Sequence, residues 1–207
     1  MNNFQAHHNP RAVFAQFALL LMTVFYAATA FAHSEQGVVG GLVSGLMHPV
    51  NGPDHLVAMV AVGLWGAQLG NPAVWILPII FPLVMAIGAM LGMLGMPLPF
   101  VEFGIAASAI TLGAVVALQL RPPLWIAAVI VGAFAIFHGH AHGEELPTAA
   151  NPLAYGVGFV VSTGLLHLIG ILIGVLVRWP LGVKAVRVCG GVIAAAGAFF
   201  LASVVGA

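Results

Sequence analysis

Nine histidines stand in a chain of 207 residues that carries only five basic and five acidic side chains. Most of them gather in two places. "HPVNGPDH" holds His48, Asp54 and His55, and "FHGHAHGEE" holds His138, His140, His142, Glu144 and Glu145. Imidazole nitrogens beside carboxylate oxygens form a ligand set that suits Ni, Co or Zn in the +2 state. Helical periodicity sorts the second cluster. At 100° per residue His142 lies about 40° from His138, and Glu145 about 20° to the other side, so these three share a stripe. His140 and Glu144 fall on the opposite face.

Around these clusters the chain avoids charge. It is 62% hydrophobic and 5% charged, where soluble domains carry about 25% charged residues. The expected fold class is an all-α integral membrane protein. An ionised Asp54 in that setting costs ~2.5–3.5 kcal/mol on insertion scales, and such groups are kept for pairing or function. Pro49 and Pro53 lack backbone N–H groups, so a helix is expected to break at His48–Pro53. Unwound backbone at membrane depth is tolerated only inside protein or beside a cavity. The carbonyl end of the first half-helix favours cations, a device of transporters with broken helices. The competing role for Asp54 is a cap on the second half-helix, and capping is compatible with binding.

Residues 1–32 read as a cleaved signal peptide. Arg11 is the positive flank, an apolar run follows, and Ala30-Phe31-Ala32 is a small-x-small cleavage site. The remaining chain, 33–207, is expected to be one polytopic transmembrane domain. Apolar blocks run 74–95, 101–120, 124–141, 152–177 and 184–206, each near the ~20 residues of a crossing. Block 37–70 is broken by "HPVNGP" and reads as one interrupted crossing, which makes a bundle of six spans. Arg121, Arg178, Lys184 and Arg187 fall on one side by this count, which the positive-inside rule makes cytoplasmic. Both mature termini are then periplasmic, in a bacterial inner membrane. Gly41/Gly45, Gly88/Gly92 and Gly170/Gly174 stand at the spacing that lets helices approach closely in lipid.

Further candidates are weaker. Glu102 opens the 101–120 block on the histidine side, where it either ligates or favours the helix dipole. His167 lies roughly 22 Å into its span. It either bonds a neighbouring helix or lines a path. His33, as the new N-terminus, could chelate through amine and imidazole. His7 and His8 would leave with the signal peptide. Cys189 is the one cysteine, which excludes an internal disulfide and a cysteine zinc site. The balanced charge gives no footprint for nucleic acid, and no GxxxxGK[ST] loop is present to use ATP. No prosthetic group is expected. The partners expected are a divalent metal ion and the bilayer, and homo-oligomerisation is left open.

These features suit a secondary permease that moves a divalent metal inward. An intramembrane metalloenzyme is the competing class, against which stands the absence of an HExxH pattern. A metal sensor or delivery scaffold is a third reading. The motifs themselves resemble the HupE/UreJ family of nickel permeases. "HPVNGPDHLVAMVAVGLWGAQLG", residues 48–70, matches that family's first motif throughout, and "FHGHAHGEE", residues 137–145, matches its second. The resemblance implies six spans behind a signal peptide and uptake of Ni²⁺ for hydrogenase or urease maturation. It also implies downstream nickel metallochaperones. By resemblance His48, Asp54, His55, His138, His142 and Glu145 are the functional residues.

Overall fold

The computed structural model describes residues 37–146 and 151–206. The expected signal peptide and His33 lie outside these residues. Seven α-helices follow one another, with no strand among the described residues. They are α1 (Gly37–Asn51), α2 (Pro53–Leu69), α3 (Ala73–Met93), α4 (Val101–Ala117), α5 (Leu124–Glu144), α6 (Pro152–Gly174) and α7 (Pro180–Val205). A short 3-10 turn, Val175–Arg178, extends α6. α3, α5, extended α6 and α7 are long and apolar enough to cross a bilayer, and α4 is a shorter apolar helix. The protein is a multi-pass helical membrane protein. Its outward surface agrees: Phe100, Leu153 and Leu181 are each about four-fifths exposed, a state that only lipid makes favourable for so many large apolar groups.

Helix limits follow local chemistry. α7 begins at Pro180, four residues before the expected block, because proline at the first helical position gives up an N–H that has no partner anyway. α5 outruns its expected end at 141 and continues through Gly143 to Glu144. Asn151 caps α6 by accepting the Ala154 N–H at 3.0 Å, with Pro152 at the first position.

The expected break at His48–Pro53 narrows to one residue. α1 continues through Pro49 to Asn51. Only Gly52 leaves the helix, with φ −91° and ψ 99°, and Pro53 starts α2. Gly52 N–H donates to the His48 carbonyl at 3.3 Å, and Leu56 N–H donates to the Gly52 carbonyl at 2.9 Å. Six residues need not unwind, because Pro49 sits in the last turn of one helix and Pro53 in the first turn of the next. The backbone left unpaired by the prolines is confined to the carbonyls of Gly45 and Pro49, four residues before each.

Glycines bring the helices into three close pairs. Gly41 and Gly45 of α1 touch the backbone of Asn151 and Tyr155, and Gly63 of α2 touches that of His167. The broken helix α1–α2 therefore accompanies α6 in the same direction along its length. Residues 45 to 63 run beside residues 155 to 167 of α6, so the longer path bows away from α6 at the break. In the second pair, Gly88 and Gly92 of α3 meet Ile136 and His140, while Gly139 and Gly143 of α5 meet Met85 and Ala89. The third pair is α4 with α7, antiparallel, through Gly113, Gly190 and Gly197. Without a Cβ the backbones reach contact, which supplies the packing attraction that lipid-solvated helices otherwise lack.

One end of the bundle gathers the cations. Arg187 Nε donates to Ala117 O at 3.0 Å, Gln68 Nε2 to Val116 O at 2.9 Å, and Trp65 Nε1 to Leu120 O at 3.0 Å. Arg187 thereby satisfies the Ala117 carbonyl that the end of α4 leaves without a helical partner, Gln68 gives the Val116 carbonyl a second donor beside the Gln119 N–H at 3.2 Å, and Trp65 ties down the link just past α4. These bonds also explain why the first motif runs on to Gly70: its Trp65 and Gln68 anchor α2 to α4. Arg121 in the α4–α5 link, Arg178 at the end of the 3-10 turn and Lys184 near the start of α7 stand at this same end. Trp75, Trp125 and Trp179, each more than half exposed, open α3, α5 and α7 here, where indole rings suit a membrane–water interface. The four acids of the described residues stand toward the other end.

Candidate metal site

The bow in α1–α2 opens a cavity of about 310 Å³ between the break and the end of α5. His48 enters from the last turn of α1, Asp54 and His55 from the first turn of α2, and His142 from the last turn of α5. Glu145 lies just beyond α5, and Glu102 comes from the first turn of α4. All six line the cavity. The elements that deliver them are helix ends, so each side chain hangs from rigid backbone.

His48, His142 and Glu145 each offer one ligand atom, and these atoms lie within 4.8 Å of one another. His48 Nε2 is 3.0 Å from Glu145 Oε2. His142 is 4% exposed, and neither ring nitrogen has a hydrogen-bond partner. Its ring stands edge-on to His48, with centroids 4.7 Å apart, and 4.3 Å from His55. Phe159, at 4.3 Å, walls its other side. A buried imidazole with two idle nitrogens is costly in an apolar setting. Two imidazoles and a carboxylate at this spacing can close on one divalent ion.

Asp54 fixes the state of His55. Its Oδ1 accepts the backbone N–H of His55 and lies 2.9 Å from Nδ1. A carboxylate only accepts, so Nδ1 carries the proton and Nε2 the lone pair. That Nε2 is buried with no partner. A carboxylate behind an imidazole is the arrangement that orients metal-binding histidines and raises their basicity. Asp54 is not the N-cap, a position held by Gly52, although it does accept a first-turn N–H.

His138 is fully buried beside His55, with ring centroids 4.6 Å apart. Its partner is Ser108 of α4, which sequence reasoning missed. Ser108 Oγ donates to Ile105 O at 2.6 Å and lies 2.8 Å from His138 Nε2. Its one proton is spent on the carbonyl, so Nε2–H donates to Oγ and Nδ1 keeps the lone pair, again without a partner. The polar residues of α4 are few: Glu102, Ser108 and Thr111. Scarcity within an apolar helix was the one available signal for Ser108.

The other candidates separate from this group. His140 lies off the stripe, as periodicity predicts: its Nε2 donates to Met96 O at 2.7 Å, and its Nδ1 is 3.4 Å from Glu144. It ties α5 to the α3–α4 turn. The glycines around it do not unwind α5, but admit α3 at close range. His167 is buried on α6, separated from His138 by the ring of Phe81.

Comparison with known proteins adds to this geometry. Residues 20–200 match the family model described as HupE / UreJ protein. "Protein HupE" of Rhizobium leguminosarum bv. viciae is 46% identical over 176 residues, which cover 84% of this chain and 92% of that protein. No solved structure matches the chain. With a family match over most of its length and a close relative covered almost end to end, the chain belongs to the HupE/UreJ family.

Proposed function

We propose that the protein is a secondary permease that takes up a divalent transition metal, Ni²⁺ foremost, from the periplasm into the cytoplasm. The observation that carries this reading is the meeting of His48, His142 and Glu145 within 4.8 Å. His48 comes from the end of α1 and the other two from the end of α5, and all three line a cavity at the end of the bundle away from its cations. The ion is substrate here, so its ligands must release it as well as bind it. Conduction needs sites that are favourable enough to enter and weak enough to leave. Glu102 and Glu145 stand at the mouth, where carboxylates attract the cation. His48 and His142 take it next, and His55 and His138, each presenting one lone pair, continue the row inward.

Six crossings fit this reading. Four helices are long enough, α4 makes a fifth, and α1–α2 together accompany the whole of α6 and make one more. The cation-bearing end is then cytoplasmic by the positive-inside rule, and the histidine cavity is periplasmic. The inner membrane of a bacterium is the matching location, with delivery to hydrogenase or urease maturation as the family name suggests. Uptake of radioactive nickel into proteoliposomes tests the reading. Time-dependent accumulation that His142→Ala abolishes supports it. Binding without accumulation would leave a sensor or scaffold instead.

A further inference from the structure

Below the histidine cavity, α6 carries a second group of polar atoms that nothing in the proposed uptake route has yet used. Tyr155, Phe159, Thr163 and His167 follow one another at four-residue intervals, a row of neighbours on a helix surface, and all are buried. The first two pack against the rings of His48 and His142 in the outer cluster. The last two lie one and two turns deeper. Thr163 is 0% and His167 1% exposed, and Thr163 Oγ1 and both ring nitrogens of His167 lack hydrogen-bond partners.

A backbone carbonyl faces His167. The His167 ring lies against the backbone of Pro78 in α3 without closing a hydrogen bond to it. Pro82, four residues on within the same helix, has no N–H to give the Pro78 carbonyl. One hydroxyl, one imidazole and one proline-freed carbonyl therefore share the interior of a membrane protein, where unsatisfied polar groups are expensive. Oxygen and nitrogen lone pairs left together are a seat for a cation. Phe81 separates this seat from the outer cluster. Its ring centroid is 5.5 Å from that of His138 and 5.4 Å from that of His167.

We infer that His167, Thr163 and the Pro78 carbonyl form a second, deeper site for the divalent cation, reached from the outer cluster past the ring of Phe81. This rests on the uptake reading and deepens it. The outer cluster has carboxylates and the deeper one has only neutral donors, so the deeper site holds the ion more weakly. A weaker site after a stronger one favours release inward, as multi-site conduction requires.

The test uses the full chain in proteoliposomes, in a Cys189→Ser background that removes its one cysteine. His167→Ala is expected to slow nickel uptake at least about tenfold, the lower figure for losing a group that supports a metal site. Nickel affinity of the outer cluster, measured by equilibrium dialysis, stays unchanged. His167→Cys places the sole thiol at the deeper site, and Ni²⁺ added to it is expected to produce a thiolate-to-nickel charge-transfer band. Undiminished uptake by His167→Ala overturns the inference, and so does the absence of that band. If His167→Ala fails to fold, the band decides. If the Cys189→Ser parent itself moves no nickel, the uptake reading fails, and the band still decides whether the site exists.

Discussion

Replacing Asp54 by Asn separates charge from shape at the break. One carboxylate oxygen serves both the His55 backbone N–H and, at 2.9 Å, Nδ1. An amide oxygen of the same size can accept both bonds, so the local geometry survives. What changes is their strength. Hydrogen bonds to a charged partner contribute ~1.5–3 kcal/mol and neutral ones ~0.5–1.5, so two bonds lose roughly 2–3 kcal/mol. Against this, the bilayer no longer receives an anion that costs ~2.5–3.5 kcal/mol to insert. The two effects nearly cancel, and membrane abundance is expected to stay near wild type. The function does not cancel. His55 loses the carboxylate that raises the basicity of Nε2, a loss of about 10- to 100-fold in metal affinity, or ~1.4–2.7 kcal/mol. Nickel uptake measured over a concentration series should shift its half-saturation upward by that factor, and at trace nickel transport should all but vanish. Asp54→Ala, which leaves both donors unpaired, should lower abundance as well. A wild-type concentration dependence for Asp54→Asn would refute the coupling of Asp54 to the metal.

Ser108→Ala takes away the acceptor of His138 Nε2–H and frees the ring to exchange tautomers. Apparent nickel affinity is expected to fall about tenfold with near-normal abundance, read from the same uptake series. Gly143→Ala drives a Cβ into the Ala89 carbonyl, whereas Gly191 has open space around it. The first should cost about 1–3 kcal/mol as overpacking and lower membrane abundance on an immunoblot, while Gly191→Ala should leave it unchanged. For topology, cysteine at Thr148 in a Cys189-free background should react with an impermeant thiol reagent from the periplasm, and cysteine at Pro122 should be protected. Reversed labelling would overturn the direction of uptake.

Much of this architecture is written along the chain in one dimension. Apolar length placed α3 to α7 because a bilayer crossing demands a run of lipid-soluble residues whatever its neighbours do. The 100° period put His138, His142 and Glu145 together and His140 apart, since a helix that stays intact obeys it. The break was harder. Two prolines and a glycine predict disruption, but the widths of the two helix ends depend on how α6 supports them. Ser108 was invisible as a partner of His138, because 30 residues separate them and only the packing of α4 on α5 joins them. Asp54 was expected to meet the ion by charge alone, yet its nearest partner is the next residue in sequence. The joint placement of Phe81, Pro78 and His167 is likewise a product of helix packing, with no sequence pattern to announce it.

The glycine seams carry a mechanical consequence. Helices locked backbone to backbone move as one piece, so the bundle behaves as three stiff struts: α1–α2 with α6, α3 with α5, and α4 with α7. The cavity draws on all of them: His48 and His55 from the first, His142 and Glu145 from the second, and Glu102 from the third. An ion held there is a rivet through three struts. Its binding energy favours the one mutual arrangement in which the donors converge, by as much as that arrangement binds it better than any other. When it leaves, the struts lose their common fastening, and a tilt of one relative to the others alters several donor distances at once.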